Sequence, residues 1–101
     1  MEVVQLFFYV PKSHLELVKQ ALFDIGVGKF GDYSNCCWQT LGTGQYIPLE
    51  NAKPFLGFNN KLCQEEEYKV EMLCFENCLE LAIKTLKLTH PYEEPAYGVF
   101  K

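Results

Sequence analysis

The chain has 101 residues, 49% of them hydrophobic, which predicts one domain with a single core. The formal net charge is −4 and all nine basic residues are lysine, so the arginines that usually grip phosphates and base edges are missing and nucleic acid is excluded as the main partner. No apolar run reaches the roughly 20 residues that cross a bilayer, which excludes a membrane-spanning helix, and no membrane partner is expected.

The first quarter of the chain predicts a strand followed by an amphipathic helix. Residues 3–10 are rich in β-branched and aromatic side chains and end at Pro11, which is typical of a strand. The run from Ser13 to Glu16 matches a capping box and predicts that the helix starts there. Apolar residues then repeat at spacings of three and four as far as Ile25, and Gly26 is the expected stop signal.

The middle of the chain predicts a projecting, hairpin-like segment and a long loop. Residues 32–39 alternate loosely in polarity, and a turn at residues 42–44 is expected to separate them from a short run at residues 45–48. Residues 49–60 contain Pro54, Gly57 and several asparagines, which favours a loop. The three glutamates at residues 65–67 are expected to be a solvated lead-in to the next strand.

The remainder of the chain repeats the order strand, helix, strand. Residues 68–74 alternate in polarity, residues 76–88 carry an apolar stripe at helical spacing, and residues 96–100 form a closing strand. This order predicts an α+β fold, the ferredoxin-like βαββαβ sandwich, in a single domain over residues 1–101. Its antiparallel sheet would carry two helices on one face, with the long middle hairpin or loop projecting.

The first strand is apolar on both of its faces. Val4, Leu6 and Phe8 alternate with Val3, Phe7 and Tyr9, whereas two helices can cover only one face of the sheet. Because an exposed aromatic sheet face would be an unusually large apolar patch, we expect oligomerisation or the middle loop to cover it.

Five cysteines, an odd number, stand in a chain with no recognisable signal peptide at its start, which predicts free thiols in the cytoplasm. Most are expected to be buried small apolar residues. The vicinal pair Cys36 and Cys37 lacks the C-x-x-C spacing of structural zinc sites. Capture of a soft metal by one of these two thiols stays open.

Residues 26–31 match the G-x-G-x-x-G pattern of dinucleotide-binding loops. That mechanism requires the pattern to follow a strand and open a helix, whereas here it closes a helix. A glycine-rich helix exit is therefore the favoured interpretation.

The candidate site lies near the C-terminal end of the sequence, where an imidazole, a phenol and two carboxylates crowd between two prolines. Pro91 and Pro95 predict a stiff turn rather than a helix. Its ligand or metal candidates are His90, Tyr92, Glu93 and Glu94. One interpretation is a divalent-metal or proton-transfer site centred on His90. The other is that His90 caps the second helix while the two glutamates are solvated. A nucleophile paired with a base is not visible.

Several spaced motifs agree in order with one known family. They lie at residues 28–36, 42–48, 54–57, 70–71 and 90–97. Together they resemble the YqfO-type Nif-three-like family over almost the whole chain. The match corresponds to the domain inserted in the middle of the longer members, and the chain is expected to be a stand-alone version of it.

The resemblance implies a PII/CutA-like, ferredoxin-like and trimeric domain. It also implies that the two-metal site of full-length members, built from histidines and carboxylates of flanking domains, cannot be assembled here, because only His14 and His90 are available. No catalytic residue is carried over.

Two hypotheses about function follow. The first is a small cytoplasmic ligand-sensing, regulatory or metal-responsive module, an oligomer with a trimer favoured, which binds a small molecule or a protein partner and has no catalysis of its own. The second is a metal-binding protein or enzyme that uses residues 90–94 in a cleft between subunits, with a divalent metal ion as its cofactor.

Overall fold

One antiparallel sheet organises residues 2–101, the part of the chain that the computed structural model describes. The elements in chain order are β1 (Val3–Pro11), α1 (Lys12–Asp24), β2 (Trp38–Tyr46), β3 (Cys63–Phe75), a 3₁₀ turn (Glu76–Cys78), α2 (Leu79–Thr89) and β4 (Tyr97–Phe100). The strands lie in the order β2-β3-β1-β4, and every neighbouring pair is antiparallel. The predicted α+β, ferredoxin-like order is confirmed.

Both helices pack on the same face of the sheet. On β1, Val4, Leu6, Phe8 and Val10 point to this face and are buried. The other core residues come from both helices and from β3: Leu15, Val18, Leu22, Val27, Val70, Met72, Cys74, Ala82 and Leu86. The period-2 pattern of the strands and the period-3.6 pattern of the helices therefore meet in one core.

The predicted capping box at the start of α1 is wrong. The helix begins at Lys12, its N-cap is Pro11, and no side chain caps it. The Ser13 hydroxyl instead bonds the ring of His14 at 2.9 Å. β1 passes into α1 without a loop, and Pro11 has the extended backbone that is usual for an N-cap residue, with φ −68° and ψ 154°.

The predicted turn at residues 42–44 is also wrong, as is full solvation of the acidic run at residues 65–67. Both segments lie inside the ladder between β2 and β3, where Gly42 pairs with Glu67 and Gly44 pairs with Glu65. Within this run Glu66 is exposed but Glu67 is buried. Pairing along the whole of β2 overrides the local turn preference of the glycines.

The sheet face opposite the helices, which we call the open face, carries an aromatic centre. The Phe7 ring stacks on Phe100 at 5.1 Å, and the Lys69 ammonium lies 5.1 Å from its centroid. Trp38 on β2 is 69% exposed and Phe100 is 60% exposed. The apolar second face expected from the sequence is thus present, and within residues 2–101 no helix covers it.

The expectation that most cysteines are buried is wrong, whereas the free thiols and the glycine-rich helix exit are as expected. The five cysteines are free; Cys63 and Cys74 are buried, and the other three are half-buried. α1 ends at Asp24, and Gly26, Gly28 and Gly31 follow with positive φ, as a glycine-rich helix exit requires. Among the described residues, no helix is long and apolar enough to cross a membrane.

Candidate functional site

A cleft of about 1120 Å³ opens at the end of the sheet where Tyr9 and Glu67 lie. One wall is residues 47–62, between β2 and β3, which we call the middle loop. The opposite wall is residues 92–96, after α2, and the floor includes Tyr9, Tyr46 and Glu67. The long loop expected from the sequence therefore forms a concave surface.

The His90 imidazole fixes the segment that follows α2. Its Nε2 lies 2.6 Å from the carbonyl oxygen of Tyr9, and its Nδ1 lies 3.0 Å from the backbone nitrogen of Tyr92. Because a carbonyl only accepts and a backbone N–H only donates, Nε2 carries the proton and Nδ1 accepts. The ring is therefore a neutral imidazole with both nitrogens in use.

Burial favours the same neutral form. His90 is 6% exposed, and desolvation lowers its pKa below the ordinary value, while the bond to the Tyr9 carbonyl and the nearby Glu67 act in the opposite direction. His90 also ends α2 as its C-cap residue, as one sequence interpretation expected, with extended backbone at φ −73° and ψ 138°. It does so uncharged, so attraction of an imidazolium to the helix dipole is not its role.

The turn fixed by His90 places the Tyr92 phenol against a buried carboxylate. The Tyr92 hydroxyl donates to Oε2 of Glu67 at 2.8 Å, and Glu67 is 9% exposed. Burial, followed by this hydrogen bond and the negative charge of Glu67, raises the pKa of Tyr92 above its usual range. The phenol is protonated at neutral pH and serves as a donor.

Tyr46 lies beside this pair at the end of β2. Its ring meets the Tyr92 ring at 5.9 Å and 61°, and its hydroxyl donates to the Leu56 carbonyl at 3.1 Å. Burial, followed by contact with Cys63, raises the pKa of Tyr46 to about 12. Two neutral phenols therefore line the floor of the cleft.

The middle loop is ordered by its own polar contacts. The Asn59 amide donates to the carbonyls of Leu49, Glu50 and Ala52 at 3.0–3.1 Å. The Lys53 backbone N–H donates to Oε1 of Glu93 at 3.2 Å. This last bond joins the two walls of the cleft.

The structure brings four predicted site residues to one cleft and places two others elsewhere. Tyr92, Glu93 and Glu94 line it, and Glu93 also binds the middle loop. His90 does not line the cleft but holds the Tyr92 backbone in place. Cys36 and Cys37 lie near Gly28 and Leu73, because Cys36 and Leu73 both bond the Gly28 backbone. Since Leu73 lies six positions beyond Glu67 along β3, roughly 20 Å lie between the thiols and the cleft.

The described residues include no group of three or more His, Cys, Asp or Glu side chains placed to hold a metal ion. At His90 a metal would have to displace one of two hydrogen bonds. The arrangement is therefore not a ready-made set of ligands, and the metal assignments of His90, Cys36 and Cys37 stay predictions.

Sequence reasoning missed the buried carboxylate and most of the aromatic wall. Glu67 belongs to an acidic run that normally signals solvent, and Tyr46 and Phe55 lie in segments without periodicity. One signal was available: Gly42 and Gly44 leave space on β2 opposite the glutamates. A Cβ on Gly44 would overlap the Glu67 carboxylate, so that glycine provides the room that the buried side chain occupies.

Solved structures share this fold. CutA1 from Ehrlichia chaffeensis superposes with a TM-score of 0.72 and 13% identity, over 99% of this chain and 80% of that one. Bacillus subtilis GlnK superposes with a TM-score of 0.65 and 14% identity, over 99% and 84%. At these identities the likeness shows the fold alone, and it defines the class: a ferredoxin-like α+β domain of CutA/PII-like structure.

Proteins that are similar in sequence relate the chain to a particular family within this structural class. A GTP cyclohydrolase 1 type 2 homolog of Mycobacterium leprae is 37% identical over 92 residues, 91% of this chain and 24% of the relative. That of Bacillus subtilis is 36% identical over 96 residues, 95% and 26%. A Bacillus cereus protein related to NIF3 superposes with a TM-score of 0.83 at 34% identity, over 98% of this chain and 25% of that one.

The chain is homologous to the inserted domain of the GTP cyclohydrolase 1 type 2 homologs and NIF3-related proteins. It spans about a quarter of the length of the relatives it matches. No family model matches the chain. The family resemblance read from the spaced motifs is confirmed.

Replacing Gly44 by alanine tests the fit between β2 and the buried carboxylate. The new Cβ would overlap the Glu67 carboxylate and force it away from Tyr92. We expect Gly44→Ala to lower the free energy of unfolding by about 1–3 kcal/mol in denaturant titrations. The matched control is Gly42→Ala on the same strand, where the space around a Cβ is open. Equal stability of the two variants would contradict this packing.

The neutral state of His90 predicts a pH dependence of stability. Its pKa is lowered in the folded state from the ordinary 6.5, so the unfolded chain takes up the proton first. The free energy of unfolding should hold above pH 6.5 and fall as the pH drops from there toward the folded-state pKa.

Denaturant titrations between about pH 8 and about pH 5 measure this slope. His90→Gln should flatten it, whatever its effect on absolute stability, whereas His14→Gln removes only the smallest of the causes acting on the pKa of His90 and should leave most of the slope in place. An unchanged slope in His90→Gln would show that other groups carry the acid sensitivity.

Proposed function

We propose that this domain is an oligomeric, ligand-sensing regulatory module of the CutA/PII-like class that acts by binding and has no catalysis of its own. The observation that carries the proposal is the cleft, in which the middle loop and the residues after α2 face each other over a buried polar pair, Tyr92 and Glu67. Concave sites with aromatic walls and a few fixed polar groups are typical of small-molecule binding.

The hydrogen bonding and protonation of the polar side chains in and near the cleft support a binding role rather than a catalytic one. Both nitrogens of His90 are occupied, and the pKa values of Tyr46 and Tyr92 are raised, so neither phenol is a base at neutral pH. A general base must be free to take a proton from its substrate. The relatives are named cyclohydrolase homologs, but this chain spans only about a quarter of their length. Their name therefore does not assign a hydrolase activity to this domain.

The link between the walls suggests how binding could be transmitted. Glu93 accepts a hydrogen bond from the middle loop, and Glu93 directly follows the turn held by His90 and Tyr92. A ligand that contacts either wall would change the relative stability of the loop's positions. That differential affinity is what a regulatory response requires.

The open face supports association with copies of the same chain. Trp38, Leu73 and Phe100 are exposed on this face around the half-buried Phe7 ring. Apolar side chains gathered on one sheet face favour burial against a partner. We propose that three copies join through this face, as the resemblance implies, in the cytoplasm.

The alternative is a metal-handling protein or enzyme that uses residues 90–94 in a cleft between subunits. The carboxylates of Glu93 and Glu94, which follow His90 closely in the sequence and line the cleft, favour it, since oxygen and imidazole ligands suit several divalent ions. Calorimetric titration with Zn²⁺, Cu²⁺ and Mn²⁺ tests it. Heat of binding that disappears in His90→Ala would support the metal-handling alternative. If no heat of binding is measured, the ligand-sensing proposal stands.

Ligand sensing predicts that some small molecules bind the cleft and stabilise the middle loop. Amide chemical-shift mapping against a diverse compound library should show shifts at Tyr46, Phe55 and Tyr92, with the helix surface at Leu81 as an internal control. The same compounds should slow hydrogen exchange in residues 47–62. A library that moves only residues outside the cleft would argue against the proposal.

Oligomerisation through the open face predicts concentration-dependent mass and a change in tryptophan fluorescence. Trp38 is the single tryptophan of the chain, and its emission should shift to shorter wavelength as copies associate. Leu73→Glu on the open face should leave a monomer in sedimentation velocity, while Leu88→Glu, on the exposed surface of α2, should not. Association that survives Leu73→Glu would place the interface elsewhere.

A further inference from the structure

We propose that the ligand of the cleft is an organic cation, a small molecule with an alkylated ammonium group. This inference rests on the binding role proposed above and adds the chemical class of the ligand. Three observations lead to it: the sign of charge in the cleft, the environment of Glu67, and the arrangement of the aromatic rings.

The charge lining the cleft is of one sign. Among the described residues that line it, the charged ones are all acidic: Glu50, Glu67, Glu93 and Glu94. No lysine is found among them, although the chain has nine. Walls of one charge raise the local concentration of the opposite ion and repel phosphates and carboxylates.

Glu67 is a buried carboxyl group that forms no salt bridge within residues 2–101. Their salt bridges join Lys19 to Glu16, Lys69 to Glu71, and Lys101 to Glu76. Glu67 is 9% exposed and receives one hydrogen bond, from the neutral Tyr92 hydroxyl to Oε2. A carboxylate this buried is costly unless a cation balances it, and its side chain lines the cleft from which one could arrive.

Aromatic rings surround the approach to this carboxylate. The Tyr92 ring lies 5.9 Å from that of Tyr46 at 61° and 6.3 Å from that of Phe55 at 49°. Because these planes are inclined to one another, the rings form angled walls of the same cleft. Ring faces attract alkylated ammonium groups, whereas a hydrated metal ion gains little from them and prefers oxygen ligands.

The experiment compares choline with 3,3-dimethylbutan-1-ol, its uncharged isostere, in NMR titrations of the full chain. Choline should shift the amides of Tyr46, Phe55 and Tyr92 and bind at least about tenfold more tightly than the isostere. ATP and Mn²⁺, titrated separately, serve as an anion and a metal ion.

Two matched variants assign the effect to the buried charge. Glu67→Gln keeps the shape and an acceptor for Tyr92, and it should weaken choline about tenfold or more. Glu66→Gln makes the same change of net charge at the neighbouring exposed position and should alter binding less than about twofold. If Glu67→Gln does not fold, Phe55→Ala in the exposed part of the middle loop should still weaken choline by removing one ring.

Equal binding of choline and its isostere would overturn the proposal, as would equal affinities of Glu67→Gln and Glu66→Gln for choline. If ATP or Mn²⁺ bound the cleft while choline did not, the cation assignment would fall and a binding role would stand. If no probe bound and the compound library also failed, both proposals would fall together.

Discussion

The buried imidazole of His90 joins the end of α2, strand β1 and the turn that leads to β4. One nitrogen bonds the Tyr9 carbonyl and the other receives the Tyr92 N–H, while the Tyr9 N–H donates to Ala96. Both backbone groups of Tyr9 are therefore committed to residues 90–96. This places Tyr92 over Glu67 and starts β4 beside β1, so the edge of the sheet and the floor of the cleft depend on the same contacts.

The cleft and the open face adjoin along β1. Tyr9 lines the cleft, and its ring meets Phe7 edge-on at 6.3 Å, while Phe7 lies at the centre of the open face. In the proposed oligomer, association would bury one end of this row of rings and a ligand would contact the other. Packed aromatic side chains are one physical route by which binding and assembly can be coupled.

Much of the fold follows from pattern. The alternation in β3 and the apolar stripe of α2 each predict one element correctly because burial on one face dictates the sequence. The errors arise where distant pairing prevails. Gly42 and Gly44 are residues typical of turns, yet they lie in the ladder, and glutamate is typical of the surface, yet Glu67 is buried. In both cases partners more than 20 residues away determine the structure. The His90 to Glu94 cluster was recognised, but its partners Tyr9, Tyr46 and Phe55 were not, since no local signal marks contacts made across the sheet.

The contact between Gly44 and Glu67 also constrains how the sequence can vary. The carboxylate occupies the space that a Cβ at position 44 would need, so neither position is free while the other stays as it is. A chain with a larger residue at 44 would need a shorter one at 67, and it would then lose the partner of the Tyr92 hydroxyl. Among homologous domains, glycine at 44, glutamate at 67 and tyrosine at 92 should therefore be kept or lost together, which turns this site into a three-letter signature for deciding which relatives share the cleft.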